Sequence, residues 1–173
     1  MSRKGEERRP RQRMAKAAFS ALAALALAIP VPASACQSLP IIYFWGGSSE
    51  INDYGRESLD GLAAQLSQRP EDLREILITG HSDKTGPPAA RRRIAIERAT
   101  SVRDYLTARG VSHRLFRIEG ASDSRPMVDT ADGVREPQNR RVEIALSYTP
   151  EAVAEMVRRR NEQIAAGRPV PLC

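Results

Sequence analysis

The stretch Ile76-Leu77-Ile78-Thr79-Gly80-His81-Ser82-Asp83-Lys84-Thr85-Gly86-Pro87-Pro88 decides the fold, because it joins a strand to a helix. Its first three residues are an apolar run of the kind that forms a buried strand, and Gly80 ends that run. After Pro88 comes the longest helical pattern of the chain, which ends at Gly110. The polar residues between the two elements therefore lie on a strand-to-helix loop, and that loop presents Asp83.

The remaining elements follow from the hydrophobic pattern on either side of this loop. Apolar or alternating runs predict strands at residues 41–45, 73–79, 115–119 and 142–146, and helical periodicity predicts helices over residues 59–66 and 151–166. Residues 121–138 are rich in Asp, Pro and Ser, which indicates a surface loop. The order βαβαβ-loop-β predicts an α/β (α+β) fold, a two-layer sandwich with helices on one face of a mixed sheet and an additional C-terminal helix.

The first 35 residues have the features of an export signal. A polycationic segment precedes the Ala-rich apolar residues 17–29, and Ala33-Ser34-Ala35 offers small residues before a cleavage point. Residues 17–29 fall short of the roughly 20 apolar residues that a membrane-spanning helix needs. We therefore expect residues 1–35 to be removed on export, with Met1 or Met14 as the true start.

Export changes the meaning of the chain's formal charge of +6. Residues 1–35 hold 7 of the 27 Lys and Arg residues and 2 of the 21 Asp and Glu residues, which leaves 20 cations, 19 anions and a net charge of about +1. The basicity lies mostly in the removed segment, so it gives no support to nucleic-acid binding. The mature chain is long enough for one domain, over residues 36–149, followed by a helix and tail over residues 150–173.

Two cysteines, Cys36 and Cys173, lie at the two ends of the predicted mature chain. In an oxidising compartment such a pair is typical of a disulfide, which would stabilise the fold by up to about 5 kcal/mol. The segment Ala33-Ser34-Ala35-Cys36 is also similar to a lipoprotein signal, in which Cys36 is acylated. Both interpretations stay open, and the disulfide is favoured because lipoprotein signals usually carry Leu where this chain has Ala33.

Asp83 and Arg98 are the candidate binding residues. Asp83 lies on the loop and Arg98 on the helix that follows, so both are fixed by rigid elements around one cleft. An Asp accepts hydrogen bonds from an ammonium and an Arg pairs with a carboxylate, which together make a receptor for a zwitterion. The alternative for Asp83 alone is a turn residue that satisfies backbone N–H groups.

Three segments in order resemble a known family. They are Ile78-Thr79-Gly80-His81-Ser82-Asp83-Lys84-Thr85-Gly86, Ile96-Glu97-Arg98-Ala99-Thr100-Ser101-Val102 and Asn139-Arg140-Arg141-Val142-Glu143-Ile144. Together they resemble the OmpA-like C-terminal domain family, the peptidoglycan-binding module also found in Pal lipoproteins and MotB stators. The resemblance extends over about residues 41–147 and implies a βαβαββ sandwich.

The resemblance implies a ligand and the residues that bind it. In that family the Asp and Arg that match Asp83 and Arg98 grip the diaminopimelate of the peptidoglycan stem peptide, whose free end carries an ammonium and a carboxylate on one carbon. Ser82 stands where the family commonly has Thr and still offers a hydroxyl, and Arg140 matches an Arg that borders the family's site. Each charge-assisted hydrogen bond would contribute roughly 1.5–3 kcal/mol.

Two positions depart from the family's pattern. Arg91 replaces a usual Asn on the first turn of the long helix, and we expect it to belong to a solvated helix face. Trp45-Gly46-Gly47 follows the first strand where the family has an acidic or polar residue, so the first loop lacks that polar side chain.

The pattern does not indicate an enzyme, a cofactor or a metal site. His81, Ser82 and Asp83 are adjacent on one loop and cannot adopt the geometry of a hydrolytic triad. His113 lies in a turn without cysteine or acidic neighbours. The surface loop carries acidic side chains without the regular spacing of a calcium loop, namely Asp123, Asp129 and Asp132.

The sequence therefore predicts a protein of the periplasm or cell envelope, in association with the outer membrane or free of it, that binds peptidoglycan noncovalently and anchors an envelope protein to the wall. The alternative is an envelope structural adaptor whose C-terminal helix docks a protein partner, with weak or vestigial wall binding. Peptidoglycan is the expected partner in the first case and a second envelope protein in the other. A membrane is expected as a partner only if Cys36 is lipidated, and nucleic acid is not expected.

Overall fold

The structure is a computed structural model and describes residues 39–168. The predicted export signal, Cys36 and Cys173 lie outside the described residues. The strands and α-helices follow in the order β1 (Ile42–Tyr43), α1 (Asp53–Leu66), β2 (Leu73–His81), α2 (Pro88–Ala108), β3 (Phe116–Ser122), β4 (Arg141–Tyr148) and α3 (Pro150–Ala165).

The four strands form one mixed sheet in the order β1-β4-β2-β3. β2 pairs in parallel with β3, from Ile76 opposite Phe116 to His81 opposite Ser122, with an irregularity between Gly80 and His81. β4 pairs antiparallel with both β1 and β2. Parallel neighbours need a crossover connection, and α2 supplies it. This topology confirms the predicted two-layer sandwich on a mixed sheet.

One hydrophobic core lies between the sheet and the helices α1 and α2. Alternate residues of β2 and β4 face it, so Ile76, Ile78 and Val142 are fully buried. The helices contribute residues three or four positions apart, namely Leu59, Leu62, Ala63 and Leu66 from α1 and Ala99, Val102 and Leu106 from α2. The apolar faces that the periodicity predicts are therefore the core faces.

Helix α2 rests directly on the sheet at two glycines, through its backbone at Gly80 and through a side chain at Gly120. A Cβ added to Gly80 would lie 1.8 Å from the carbonyl oxygen of Ala95, and one added to Gly120 of β3 would lie 2.6 Å from Cγ1 of Ile96. Side chains cannot approach this closely, so only glycine permits the contact at Gly80. The contact seats α2, which carries Arg98, against the carboxyl end of β2.

Several elements extend beyond their predicted bounds. α1 begins at Asp53, well before its apolar stripe, because the side chain of Asn52 accepts a hydrogen bond from the backbone N–H of Gly55 at 2.8 Å and caps the helix. β2 and β3 continue to His81 and Ser122, because backbone pairing persists past the last apolar side chain. The first turn of α1 and the last residue pairs of β2 and β3 do not continue the apolar pattern of these elements. That pattern therefore underestimates their lengths.

α3 confirms the predicted C-terminal helix but packs on the domain only near its start. Thr149 caps it, and the backbone N–H of Thr149 donates to the carbonyl of Asp72 at 2.8 Å. Ala152 is buried, whereas Val157 and Ile164 of the predicted apolar stripe are 44% and 57% exposed. Apolar side chains from the middle of the helix to its end are therefore open to solvent within the described part of the chain.

Replacing Gly80 with Ala is expected to lower the free energy of unfolding by about 3 kcal/mol, because the methyl group overlaps the Ala95 carbonyl and forces helix and strand apart. Gly61→Ala is the matched control, since a Cβ at this exposed position of α1 has no atom within 4 Å. It should stabilise the protein by up to about 1 kcal/mol. Urea denaturation measures both, and equal stabilities for Gly80→Ala and wild type would contradict the close approach.

Candidate functional site

Asp83 lies just past β2, and its carboxylate is held from two sides. Oδ2 accepts a hydrogen bond from Nη1 of Arg140 at 3.0 Å, and Oδ1 accepts one from Oγ1 of Thr85 at 2.5 Å. Burial by itself raises the pKa of the Asp83 carboxyl group, but the hydrogen bonds from Thr85 and Arg140 outweigh it and the pKa is lowered. Asp83 is therefore a carboxylate at neutral pH although it is only 5% exposed.

Arg98 is a buried cation whose hydrogen bonds go to backbone carbonyls. Its side chain extends from α2, lies 5.4 Å from the ring centroid of Phe44, and is 1% exposed. Nη1 donates to the carbonyl of His81 at 2.9 Å, at the end of β2. Burial lowers the pKa of the Arg98 guanidinium to about 10, against the opposite effect of the Asp83 charge, so Arg98 remains charged at neutral pH.

The other two hydrogen bonds of Arg98 hold the loop between β1 and α1. Nε donates to the carbonyl of Ser48 at 2.9 Å, and Nη2 donates to the carbonyl of Trp45 at 3.1 Å. These carbonyls flank Gly46 and Gly47, so one guanidinium fixes both ends of the glycine turn. Trp45-Gly46-Gly47 lacks the polar side chain that the family's pattern has at this position. The loop instead contributes its backbone carbonyls, which Arg98 bonds.

Arg140 precedes β4 and completes the ionic contact with Asp83. Nε of Arg140 donates to the carbonyl of Phe44 at 3.1 Å, which orients Nη1 toward the Asp83 carboxylate. The Arg140 side chain is 10% exposed and that of Asp83 is 7% exposed, so water screens the pair only weakly. The structure thus brings two of the predicted site residues into direct contact.

Ser82 lies beside Asp83 but directs its hydroxyl toward β3. Its backbone N–H donates to the carbonyl of Ser122 at 2.9 Å, and the two hydroxyl oxygens are 3.3 Å apart. Ser122 has a φ of 54°, which is uncommon for a residue with a side chain. The predicted residue Ser82 is therefore part of the strand-end framework on which Asp83 is mounted.

The site opens onto a cleft of about 450 Å³ between the loops that follow β1 and β2 and the segment that precedes β4. Its lining consists of Gly46, Gly47, Asp83, Thr85, Arg135, Pro137 and Arg140. Asp83 and Arg140 line the cleft directly. Arg98 lies behind the lining and bonds the backbone of the glycine turn that forms one wall. The arrangement offers one carboxylate and several guanidinium groups, which is a receptor for charged groups rather than a set of reactive ones.

Comparison with known proteins identifies the family that shares this arrangement. The OmpA family model matches residues 43–140, more than half of the chain. The chain belongs to the OmpA family. OmpA-like domains bind peptidoglycan, anchor envelope proteins and are not enzymes. Membership also confirms the predicted location in the cell envelope.

The relatives within the OmpA family are longer proteins. The probable lipoprotein YiaD of Escherichia coli strain K12 is 30% identical over 61% of this chain and 48% of its own length. An outer membrane protein of Gluconacetobacter diazotrophicus is 34% identical over 61% of this chain and 29% of its own length. The chain thus spans about half or less of the curated relatives it matches.

Solved structures share the same fold. The peptidoglycan-associated lipoprotein of Burkholderia pseudomallei superposes with a TM-score of 0.57 and 25% identity, covering 62% of this chain and 89% of that one. The cell wall anchor of the T6SS from Pseudomonas aeruginosa gives a TM-score of 0.50 and 28% identity, covering 62% of this chain and 76% of that one. The C-terminal domain of Helicobacter pylori MotB, with a TM-score of 0.58 and 20% identity over 72% of this chain and 96% of that one, supports the fold alone.

Neither a membrane span nor a metal cluster is found in residues 39–168. No helix there is both long and apolar enough to cross a membrane. In the same residues, no group of three or more His, Cys, Asp or Glu side chains is placed to hold a metal ion. The acidic side chains of the surface loop pair with cations instead.

Arg91 is one of those cations, and the prediction of a solvated position for it is wrong. Its side chain is 12% exposed, and Nη1 lies 3.2 Å from the Asp123 carboxylate and 3.9 Å from that of Asp132. Lys84 similarly lies 3.0 Å from Asp129. The sequence did not predict these ion pairs, because the partners lie more than thirty residues away in the chain. They belong to a loop whose path cannot be inferred from local sequence. These ion pairs fasten the β3–β4 loop to the Asp83 loop and α2.

His81 is a buried histidine with little compensation for its burial. It is 1% exposed, neither ring nitrogen makes a hydrogen bond within the described residues, and Nε2 lies 3.5 Å from Oε2 of Glu143. Burial, and then the charge of Arg141, lower the pKa of the His81 imidazole, while Glu143 acts in the opposite direction. The imidazole is therefore held in its neutral form.

Two cleft residues were not predicted from the sequence. The hydroxyl of Thr85 donates to Asp83 from two residues further along the loop. Asp side chains often accept hydrogen bonds at this spacing in turns, so the contact could have been predicted. Arg135 reaches the cleft from the β3–β4 loop, and no local signal indicated that this loop returns to the site.

Arg98→Lys is expected to lower the free energy of unfolding by about 3 kcal/mol. An ammonium cannot reach three carbonyls that a planar guanidinium bonds at once, so buried acceptors lose their donors. Arg92→Lys, at an exposed position of the same helix, is the control and should change stability by less than about 0.5 kcal/mol. Equal urea midpoints for the two variants would show that the hydrogen bonds from Arg98 to the carbonyls do not contribute to stability.

The stability of the protein is expected to fall as the pH drops below about 6.5, because the unfolded His81 takes up a proton near its ordinary pKa of 6.5 while the folded residue stays neutral. Above that pH the effect vanishes. His81→Gln should flatten the decline, whereas His113→Gln, which alters the exposed second histidine, should leave it in place. Urea denaturation between pH 5 and 8 measures this, and parallel curves for wild type and His81→Gln would refute the assignment.

Proposed function

We propose that this OmpA-family chain binds peptidoglycan noncovalently at the Asp83 cleft and anchors an envelope protein to the cell wall. The observation that carries the proposal is an ionised, nearly buried Asp83 that shares one small site with the guanidinium groups of Arg98 and Arg140. Two structures with matching folds have names of the same kind, a peptidoglycan-associated lipoprotein and a cell wall anchor.

The proposed ligand group is the free end of diaminopimelate, which carries an ammonium and a carboxylate on one carbon. The Asp83 carboxylate offers about four acceptor sites, of which the hydroxyl and the backbone N–H of Thr85 and the Arg140 guanidinium occupy three, so one remains for an ammonium. Arg98 uses three of its five N–H hydrogens on carbonyls and stands behind the cleft wall, so its positive charge favours a carboxylate on that side of the cleft. Ser82 is proposed to support this site from the strand end, since its hydroxyl lies 3.3 Å from that of Ser122 and not in the cleft lining.

The proposed organisation of the chain follows from this function. Residues 1–35 direct export, residues 36–149 form the binding domain, and residues 150–173 form a C-terminal extension. A disulfide between Cys36 and Cys173 is the proposed closure of the domain, and acylation of Cys36 is the alternative that would attach the domain to a membrane. These parts of the proposal concern residues beyond the described range, apart from the domain and α3.

A second candidate function is docking of an envelope protein on α3, with weak wall binding. It is favoured by the apolar side chains of Val157 and Ile164 on α3, which are 44% and 57% exposed. The two candidates differ in what Asp83 does, because the adaptor does not need an intact cleft. The experiment below therefore separates them.

Asp83→Asn is expected to weaken binding to diaminopimelate-type sacculi by about tenfold or more, because the variant removes the charge that accepts the ammonium. Co-sedimentation over a range of sacculus concentrations measures the affinity. Glu57→Gln is the control, since it makes the same carboxylate-to-amide change at an exposed position of α1. Circular dichroism and urea denaturation establish that each variant is folded.

Lysine-type sacculi provide the matched ligand control, because lysine carries the ammonium without the adjoining carboxylate. Wild type should bind them more weakly than diaminopimelate-type sacculi. A folded Asp83→Asn protein that sediments like wild type would count against the cleft as the binding site and favour the adaptor function.

A further inference from the structure

The cleft carries more positive charge than the free end of diaminopimelate can use. Asp83 is its one acidic lining residue within residues 39–168, whereas Arg135 and Arg140 line it and Arg98 stands behind it. Arg140 already neutralises Asp83 through a 3.0 Å contact. The group that diaminopimelate presents is a zwitterion with no net charge, so binding it leaves the surplus cations unmatched.

Among these three arginines, Arg135 is the one without an ion-pair or carbonyl partner in residues 39–168. In the described part of the chain no carboxylate lies within 4.0 Å of its guanidinium, whereas Arg91 and Arg125 have partners in Asp123 and Glu119. Its side chain is exposed and faces the cleft. Arg135 can therefore pair with a ligand without breaking an existing ion pair.

The backbone on both sides of Arg135 is held in place. Before it, the N–H of Gly133 donates to the carbonyl of Lys84 at 2.9 Å, which ties the segment to the Asp83 loop. After it, the Glu136 side chain accepts from the N–H of Gln138 at 3.0 Å and starts a short 3-10 turn. A side chain presented from an ordered backbone loses less entropy on binding than one on a free loop.

The opposite wall leaves room for more than one ligand group. A Cβ added to Gly46 or Gly47 would meet no atom within 4 Å, so the glycine turn faces open space beside the cleft. The cleft volume of about 450 Å³ lies within the range of about 300–1,000 Å³ typical of small-molecule pockets. A ligand can therefore extend from Asp83 toward Arg135.

We propose that Arg135 binds a second carboxylate of the stem peptide, the α-carboxylate of the γ-linked glutamate that adjoins diaminopimelate. The inference rests on the proposed function, because it takes the ligand class from it. A γ-linkage leaves the glutamate α-carboxylate free, and a guanidinium fork matches a carboxylate in two parallel hydrogen bonds. The anion subsite at Arg135 makes the cleft specific for stem peptides whose glutamate is not amidated.

The test compares two tripeptides, L-alanyl-γ-D-glutamyl-meso-diaminopimelate and the same peptide with its glutamate α-carboxyl group amidated. Trp45 is the chain's only tryptophan and adjoins the glycine turn, so its fluorescence reports binding, with calorimetry as a second readout. Wild type should bind the free acid about three- to tenfold more tightly than the amide at low ionic strength. Arg135→Gln should lose that preference by weakening the acid alone.

The control variant is Arg92→Gln, which removes an exposed cation from α2 away from the cleft lining and should keep the preference. Equal affinities of wild type for the two peptides, or an unchanged preference in Arg135→Gln, would overturn the subsite. Asp83→Asn separates this outcome from failure of the proposed function, because loss of binding to both peptides in that variant supports the cleft whatever Arg135 does. Retention of both peptides by folded Asp83→Asn would overturn the proposed function and the subsite with it.

Discussion

The site depends on one buried guanidinium. Arg98 joins two pieces of backbone that are distant in the chain. It bonds both ends of the glycine turn, at Trp45 and Ser48, and the end of β2 at His81. An arginine buried to this extent is costly, and burial lowers its pKa to about 10. The three carbonyls and the nearby charge of Asp83 offset that cost, so the same contacts that keep Arg98 charged also fix the shape of the cleft.

Close contact between α2 and the sheet makes this arrangement possible. Gly80 and Gly120 have no side chains to hold the helix away, so Arg98 starts near enough to the sheet to reach carbonyls at the end of β2 and on the β1–α1 loop. Asp83 then lies on a strand end that the Ser82–Ser122 backbone contact, at 2.9 Å, fastens to the neighbouring strand. The carboxylate needs no movement to be exposed to a ligand, because Thr85 and Arg140 already hold it toward the cleft.

Sequence reasoning predicted what depends on local pattern and missed what depends on long-range contacts. The periodicity of α2 and the apolar run of β2 were enough for the fold, and the ordered motifs were enough to select Asp83, Arg98 and Arg140. The hydrogen bonds from Arg98 to backbone carbonyls could not be predicted. Every residue has a backbone carbonyl, so the residue types do not show which carbonyls accept. The same limit explains Arg91 and Arg135, whose surroundings depend on the path of the β3–β4 loop. The ligand-binding roles of Asp83, Arg98, Arg140 and Ser82 stay predictions, as does the disulfide between the two cysteines.

The antiparallel pairing of β4 has a mechanical consequence for the proposed anchoring function. Asp83 and Arg140 lie at the end of the sheet where Gly80 pairs with Val142, and β4 runs from there to Tyr148, beside Leu73, before the chain enters α3. A load applied between a ligand in the cleft and the C-terminal helix would act along β4. The hydrogen bonds on both sides of that strand would then share the load in shear instead of opening one after another. The inner position of β4 in the strand order thus suits the proposed anchoring function.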